Sequence, residues 1–480
     1  MTVLTPKLTT TSRRTRWALI VWAGTALFAG LHSALIVSRF HRFGVYTFDF
    51  GIFDQGLWLL SRFEDPFVTL RGLNLFADHS SYIMVLLTPL YWLWADPRVL
   101  LVFTVVALAA AAPLLFAIGT RLGVRPGLAA LISVAFLAHP ALRWAAWDNF
   151  HPEYLVMPLV LGATLFVLQD RPWWAVGLSA LALTAKEDVA LLIVPFGAWV
   201  AWRHRHVAAG TVIAVLGATA FLANFLVLLP FFSPTDAVLY TGRYTEYGSS
   251  ALGIMAGVVT QPGAVLSDVT RPDALRYLRD MVLLAPAGLA APAVLVLGVP
   301  ITLANMLSTH FYQIDIRYHY TIYLLTVIGL AAMFGAARLQ HRFGLRGARA
   351  LGIVVVAAAL LGLGPGPGRA AWGGIEDGGE IEAALALIGP DDAVAAESTL
   401  AVHLAHRQVV YRFPNPFREL DYGAPDLAYD PPVEDLEWIA IDPQRITNFA
   451  YAAEALEAVR RSGEWTTVVD ADRILLLRRR

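Results

Sequence analysis

The residues able to do chemistry gather in five short stretches. The first, 46–58, carries Asp49 and Asp54 among aromatic residues at 46, 48, 50, 53 and 58. Two carboxylates in such a segment could supply a general base, a metal ligand or simple solvated loop charges. If the stretch is helical they lie about 140° apart and need not share a face. The second stretch is Asp78-His79-Ser80-Ser81-Tyr82. The third runs from Arg143 to Tyr154 and holds Asp148, Asn149, His151 and Glu153, which is dense for a short turn. The fourth is Lys186-Glu187-Asp188. Lys186 could hold a phosphate as a point charge, or could simply pair with an acid beside it. The fifth, 310–320, contains His310, Gln313, Asp315, Arg317, Tyr318 and His319. Cysteine chemistry is excluded, because the chain has no cysteine.

The elements that must position these groups are apolar. Of 480 residues, 57% are hydrophobic and 15% charged, against about 25% charged in a soluble domain. That excludes a single soluble globular domain, and it excludes disorder. The net charge of −1 hides two regions. Residues 1–369 hold 26 basic and 17 acidic residues, whereas 370–480 hold 10 and 20. The first region reads as a polytopic α-helical membrane protein. Apolar runs fall at 17–37, 98–118, 127–140, 153–169, 173–186, 187–202, 208–230, 319–337 and 350–365. The stretch 277–307, interrupted by Pro286, Pro292 and Pro300, predicts two short helices. Together these give about eleven transmembrane helices at about 20 residues per straight span.

Charge sets the orientation. Arg13, Arg14 and Arg16 precede the first run, which predicts a retained first helix behind a cytoplasmic tail, 1–16. The cytoplasmic connections then carry Arg121, Arg125, Arg171, Arg203, Arg205, Arg338, Arg342, Arg346 and Arg349, with Asp170 as their single acid. All five polar stretches fall on the opposite side. The run 82–94 is too short to cross and would invert everything after it, so it reads as re-entrant or interfacial within a long first external loop, 38–97.

An odd span count puts the tail outside. A Gly/Pro-rich linker, 362–368, closes the transmembrane domain, 17–365, and leads into a C-terminal segment, 366–480. Strand-like runs at 394–396, 409–411, 438–441, 465–469 and 474–477 alternate with helical runs at 380–388, 400–407 and 449–461. This predicts a small extracytoplasmic α/β domain. No basic tract interleaved with aromatics occurs, so no nucleic acid is expected as a partner.

In order and type these motifs resemble the GT-C membrane glycosyltransferases that use polyprenyl-phosphate sugars. More closely, the chain resembles a prokaryotic membrane-protein family designated domain of unknown function 2079. Asp49 and Asp54 match the acids that open the long first external loop of GT-C enzymes. Asp78 to Tyr82 stands where that loop ends in a His-Pro-Pro-Leu-Tyr-like motif, with both prolines missing. Thr120 to Arg125 matches a basic cytoplasmic turn, Arg143 to Asp148 an external turn ending in an acid, and Arg317-Tyr318 a late Arg-Tyr motif. Thr184-Ala-Lys186 matches a Thr-Lys-Gly motif, with Glu187 in place of the glycine.

The resemblance implies that Asp49 or Asp54 is the general base of an inverting transfer. It implies that Lys186 and Arg317 stabilise the leaving lipid phosphate. Arg143, Asp148, Glu153, Glu187 and Tyr318 would complete the substrate site, and His79, His151 and His319 would orient the acceptor or hold a divalent metal. The implied donor is a polyprenyl-phosphate sugar in the surrounding membrane lipid, and the acceptor a lipid, a glycan or a protein. The competing reading is a transporter or flippase for a lipid-linked or small polar solute. That reading expects midplane charges on broken helices and internal repeats. The charges here sit at one mouth and no repeat is visible; only the proline-broken stretch with Asn305 favours it.

Overall fold

The computed structural model describes residues 7–234, 239–282, 285–364, 366–367, 378–417, 433–446 and 450–480. The chain is mainly helical. Among the described residues, four helices are long and apolar enough to cross a membrane: Arg14–His41, Arg98–Arg121, Val207–Phe232 and His319–Gly362. The number rises to six if each of two bent pairs, Pro126–Leu137 with Pro140–Trp147 and Ala251–Thr260 with Pro262–Thr270, is one span. Shorter apolar helices lie between them, including Pro152–Leu168 and Pro172–Leu183. Large apolar side chains such as Leu19, Trp22, Leu27, Val227 and Leu361 point outward, as helices solvated by lipid would have them.

Several boundaries differ from those read in the sequence. The first helix begins at Lys7, within the proposed tail, because nothing in Lys7–Arg16 stops it. Residues 277–307 break into more than two pieces, ending in the helix Val299–Leu307. Ala251–Thr260 and Pro262–Thr270 meet at 90°; Pro262 removes a helical N–H donor at that corner. The helix Ile322–Gly362 is interrupted at Gly344, whose φ of 59° only glycine adopts readily. Gln340 bonds Gly123 and Arg125 on the way in, and Gly362 lies beside Ala138 on the way out. The chain therefore turns back at Gly344. The apolar run 82–94 forms the ten-residue helix Met84–Leu93, about half a bilayer in length at about 1.5 Å per residue.

Small residues let helices approach closely. A Cβ on Gly197 would lie 2.4 Å from the backbone nitrogen of Ala214, and one on Gly210 would lie 2.4 Å from that of Ala201. The helices Ala190–Arg203 and Val207–Ala223 thus cross backbone to backbone. Gly197→Val is expected to destabilise the fold by about 1–3 kcal/mol through overpacking, read as a lower unfolding midpoint in detergent.

Two short strands, β1 (Phe67–Val68) and β2 (Leu73–Asn74), pair in the first long loop. Near the C-terminus come β3 (Val394–Ala396), β4 (Val410–Arg412), β5 (Trp438–Ile441), β6 (Trp465–Asp470) and β7 (Leu475–Arg479). They form one sheet in the order β4-β3-β5-β7-β6. β3 is parallel to both β4 and β5, and β7 is antiparallel to β5 and β6. Gly379–Leu385 and Ala450–Ser462 are the longer helices beside it; the run expected at 400–407 yields only short turns. The Gly/Pro linker and the first residues of the N-terminal tail lie partly outside the described residues.

Candidate functional site

The loop carrying Asp49 departs from regular geometry. Asp49 has φ 69° and ψ −73°, the dihedrals of the rare γ-turn. Such an outlier persists only where its surroundings impose it, and it points to a functional constraint. Asp49 is half-buried and lies within electrostatic reach of His151, Asp148, Asp78 and Lys186. Burial raises its pKa above the usual carboxylate range; His151 offsets part of this and Asp148 adds to it.

The other four sequence stretches meet around this point. His151 and His319 stack with ring centroids 3.7 Å apart. Tyr154 donates a 2.9 Å hydrogen bond to Asp148. Burial pushes Asp148 up to about 6, against the pull of the Asn149 N–H and Tyr154. Lys186 Nζ contacts Glu153 Oε1 at 2.8 Å, with 4% and 2% of each residue exposed. His79 Nδ1 lies 2.9 Å from Glu187 Oε1, and the Ser80 N–H donates to Oε2 of the same carboxylate. Burial alone would raise Glu187; His79 and Lys186 overcome it and hold the carboxyl below the usual carboxylate range. Tyr323 donates to Asp188 at 2.7 Å.

A cavity of about 420 Å³ opens beside these groups. Its polar end is built by His79, Lys186, Glu187, Arg243, Tyr240 and Tyr320. Its remaining walls are apolar, from Phe221 and Phe225, from Ile254, Met255 and Val258, and from the Val299–Leu307 helix with Asn305. Arg243 stacks over Tyr240 at 4.3 Å and reaches the Tyr320 hydroxyl at 3.4 Å. Tyr240 stacks on His79 and donates to Asp78 at 2.6 Å. The buried Arg71 pairs with the same Asp78 oxygen at 3.0 Å. Burial would raise Asp78, and Arg71 turns that into a pKa of about 2.

Not every expected residue is here. Asp54 is fully buried elsewhere, accepting from the Tyr91 hydroxyl and lying 3.0 Å from His406 Nε2. Gln55 beside it donates to the Arg407 and Gln408 carbonyls, and Thr69 to that of Val410. Thr47 is bonded to Ser398. These contacts dock the first loop onto the C-terminal sheet. His406→Ala is expected to cost about 1–3 kcal/mol, because a buried carboxylate loses a partner; the unfolding midpoint and the protease sensitivity of residues 378–480 would read it. Arg317 is exposed and turned onto Asp315 at 2.6 Å, and Tyr318 packs beside it on Tyr312. Arg143 donates to the Gly362 and Leu363 carbonyls. Neither arginine lines the cavity.

Arg243, Tyr240 and Arg71 lie outside the five stretches, and Asp78, Asp188 and Tyr320 lie within them but were given no role. For Arg243 a signal existed: Tyr240-Thr-Gly-Arg-Tyr244 repeats the Arg-and-aromatic character of 317–320.

The fold resembles that of ArnT from Cupriavidus metallidurans, known bound to undecaprenyl phosphate and in the apo state. Each comparison gives a TM-score of 0.53 at 15% identity. The lipid-bound structure covers 98% of this chain and 98% of its own, the apo structure 96% and 98%. No curated protein matches the sequence. The fold is thus that of a helical membrane protein with an ArnT-like architecture. Residues 39–476 match the sequence profile of the family described as predicted membrane proteins (DUF2079), and the chain belongs to that family.

Proposed function

We propose that this chain is an integral membrane glycosyltransferase that moves a sugar from a polyprenyl-phosphate donor to an acceptor hydroxyl at the outer face. One observation carries the reading: a cavity whose polar end carries Lys186 and Arg243 among aromatic rings, and whose other walls are apolar, lies beside the strained, half-buried Asp49. A lipid phosphate needs both ends at once, a positive seat for the phosphate and an apolar path for the chain. The undecaprenyl phosphate held by ArnT supports the same donor class.

In this reading Asp49 takes the acceptor's proton while the acceptor oxygen attacks the anomeric carbon. The bond to the phosphate oxygen breaks, the electron pair leaves with the lipid phosphate, and the anomeric configuration inverts. Lys186 and Arg243 meet the growing negative charge; Arg243 takes the part first given to Arg317. His79, Glu187, Glu153 and His319 fix the cationic end, and Asp54 is a docking residue. About eleven spans, a cytoplasmic N-terminus and an outer C-terminal α/β domain complete the reading, supported by the arginine-rich connections.

The test is sugar transfer by purified protein in detergent, with a polyprenyl-phosphate sugar as donor. Turnover with release of free polyprenyl phosphate is the expected result. The broken helices and Asn305 beside the cavity favour a second reading, a lipid-solute transporter. Solute movement across proteoliposomes without donor cleavage would establish that instead.

A further inference from the structure

Among the described residues one group of metal-capable side chains converges: Asp148, His151 and His319, with one ligand atom from each within 4.8 Å of the others. We propose that these three hold a single divalent transition-metal ion, with an open coordination position. The inference stands on geometry and is independent of the reaction proposed above.

The separations are the first reason. His151 Nε2 lies 3.6 Å from Asp148 Oδ2, and His319 Nδ1 lies 4.0 Å from the same oxygen. Both exceed the 2.7–3.2 Å of a normal N–H···O bond. Ligands about 2.0–2.2 Å from one tetrahedral ion stand roughly 3.4 Å apart, close to these values. The second reason is support around the ligands. His319 presents Nδ1 to the group while its Nε2 lies 3.5 Å from Glu153 Oε1. The carboxylate thus faces the far nitrogen, the side from which proteins orient a metal-bound imidazole, at a distance just beyond a direct hydrogen bond. Glu153 is itself anchored by Lys186, and Asp148 by the Tyr154 hydroxyl. The third reason is burial: His151 and His319 are 3% and 6% exposed. Both rings are thus shielded from bulk water.

The donor set selects the ion. Two imidazoles and one carboxylate suit zinc, manganese or iron(II), whereas magnesium and calcium prefer oxygen ligands throughout. Three protein ligands with a position left open is the pattern of catalytic zinc rather than of closed structural sites. Asp148 and His151 come from one turn and His319 from a helix start 168 positions later, so the ion would also tie distant parts of the chain together.

The experiment uses full-length, tag-free protein in detergent, stripped with chelator and titrated with Zn²⁺, Mn²⁺ and Mg²⁺ separately, with bound metal measured after desalting. One equivalent of Zn²⁺ or Mn²⁺ is expected, with Mg²⁺ not competing. His151→Ala and His319→Ala should each weaken binding by at least about 100-fold, more than the loss of an outer-shell partner. His41→Ala, distant in sequence and outside the group, should change nothing. Should a variant fail to elute as a folded monodisperse species, His319→Gln replaces it. Less than a tenth of an equivalent bound to wild type overturns the proposal, as does equal binding by wild type and a folded His151 or His319 variant. Because the readout is bound metal, a protein that binds the ion but transfers no sugar would refute the proposed function alone.

Discussion

Asp49→Asn is expected to reduce sugar transfer by about 10²–10⁴-fold, the usual worth of a positioned general base. Asparagine is the appropriate replacement because, with aspartate, it tolerates positive φ better than other side chains, so the strained turn at Asp49 can persist. Donor binding and the unfolding midpoint should stay near wild type, since the cavity walls contain no part of Asp49. The base must be ionised to accept a proton, and burial raises its pKa. The acid limb of kcat/KM should therefore lie above the ordinary carboxylate range, about 3.9, with turnover falling as pH drops through it. Turnover equal to wild type in Asp49→Asn would remove Asp49 from the chemistry. Asp54→Asn should behave differently: its carboxylate faces Tyr91 and His406, so stability suffers more than the chemical step.

That contrast marks how far the sequence could be read. Asp49 and Asp54 stand five positions apart in the same aromatic stretch and look alike. What separates them is His406, some 350 positions away, and no local pattern predicts so distant a partner. The same holds for the arginines. Arg317 has Asp315 two positions before it and takes that local partner, which leaves the cavity to Arg243. The stretches that converge were visible because buried charge is costly in apolar surroundings, so its appearance in an apolar sequence carries information. The helices Ala251–Thr260 and Pro262–Thr270 were not recognised, since neither is long enough alone to read as a span. Strands β3 and β5 coincide with the runs read in the sequence, because short β-rich runs between turn residues are a local signal. Their order in the sheet is not local and was not read.

The largest stability effect is expected at Lys186. Its ammonium lies 2.8 Å from Glu153 Oε1, and both residues are almost wholly buried. Lys186→Met removes one charge and strands the other, which costs on the order of 3–5 kcal/mol. The unfolding midpoint in detergent should fall accordingly. A buried pair replaced whole by neutral groups is often close to neutral in stability. The double variant Lys186→Met with Glu153→Gln should therefore recover most of the lost stability. It should not recover function. If Lys186 serves only as a counter-ion for Glu153, the refolded double variant would transfer sugar at the wild-type rate. If it also seats the donor phosphate beside Arg243 and Tyr320, the double variant should be stable yet bind donor far more weakly and turn over slowly. The separation of the two readouts decides the matter, because a lost salt bridge moves both together and a lost phosphate contact moves only the second. His319 lies 3.5 Å from the same Glu153 oxygen, so the double variant also releases the ring that faces Asp148. A metal measurement on that variant should show weaker retention than wild type, by about 10–100-fold for a lost supporting carboxylate, and it links the cationic end of the cavity to the neighbouring histidines in one experiment.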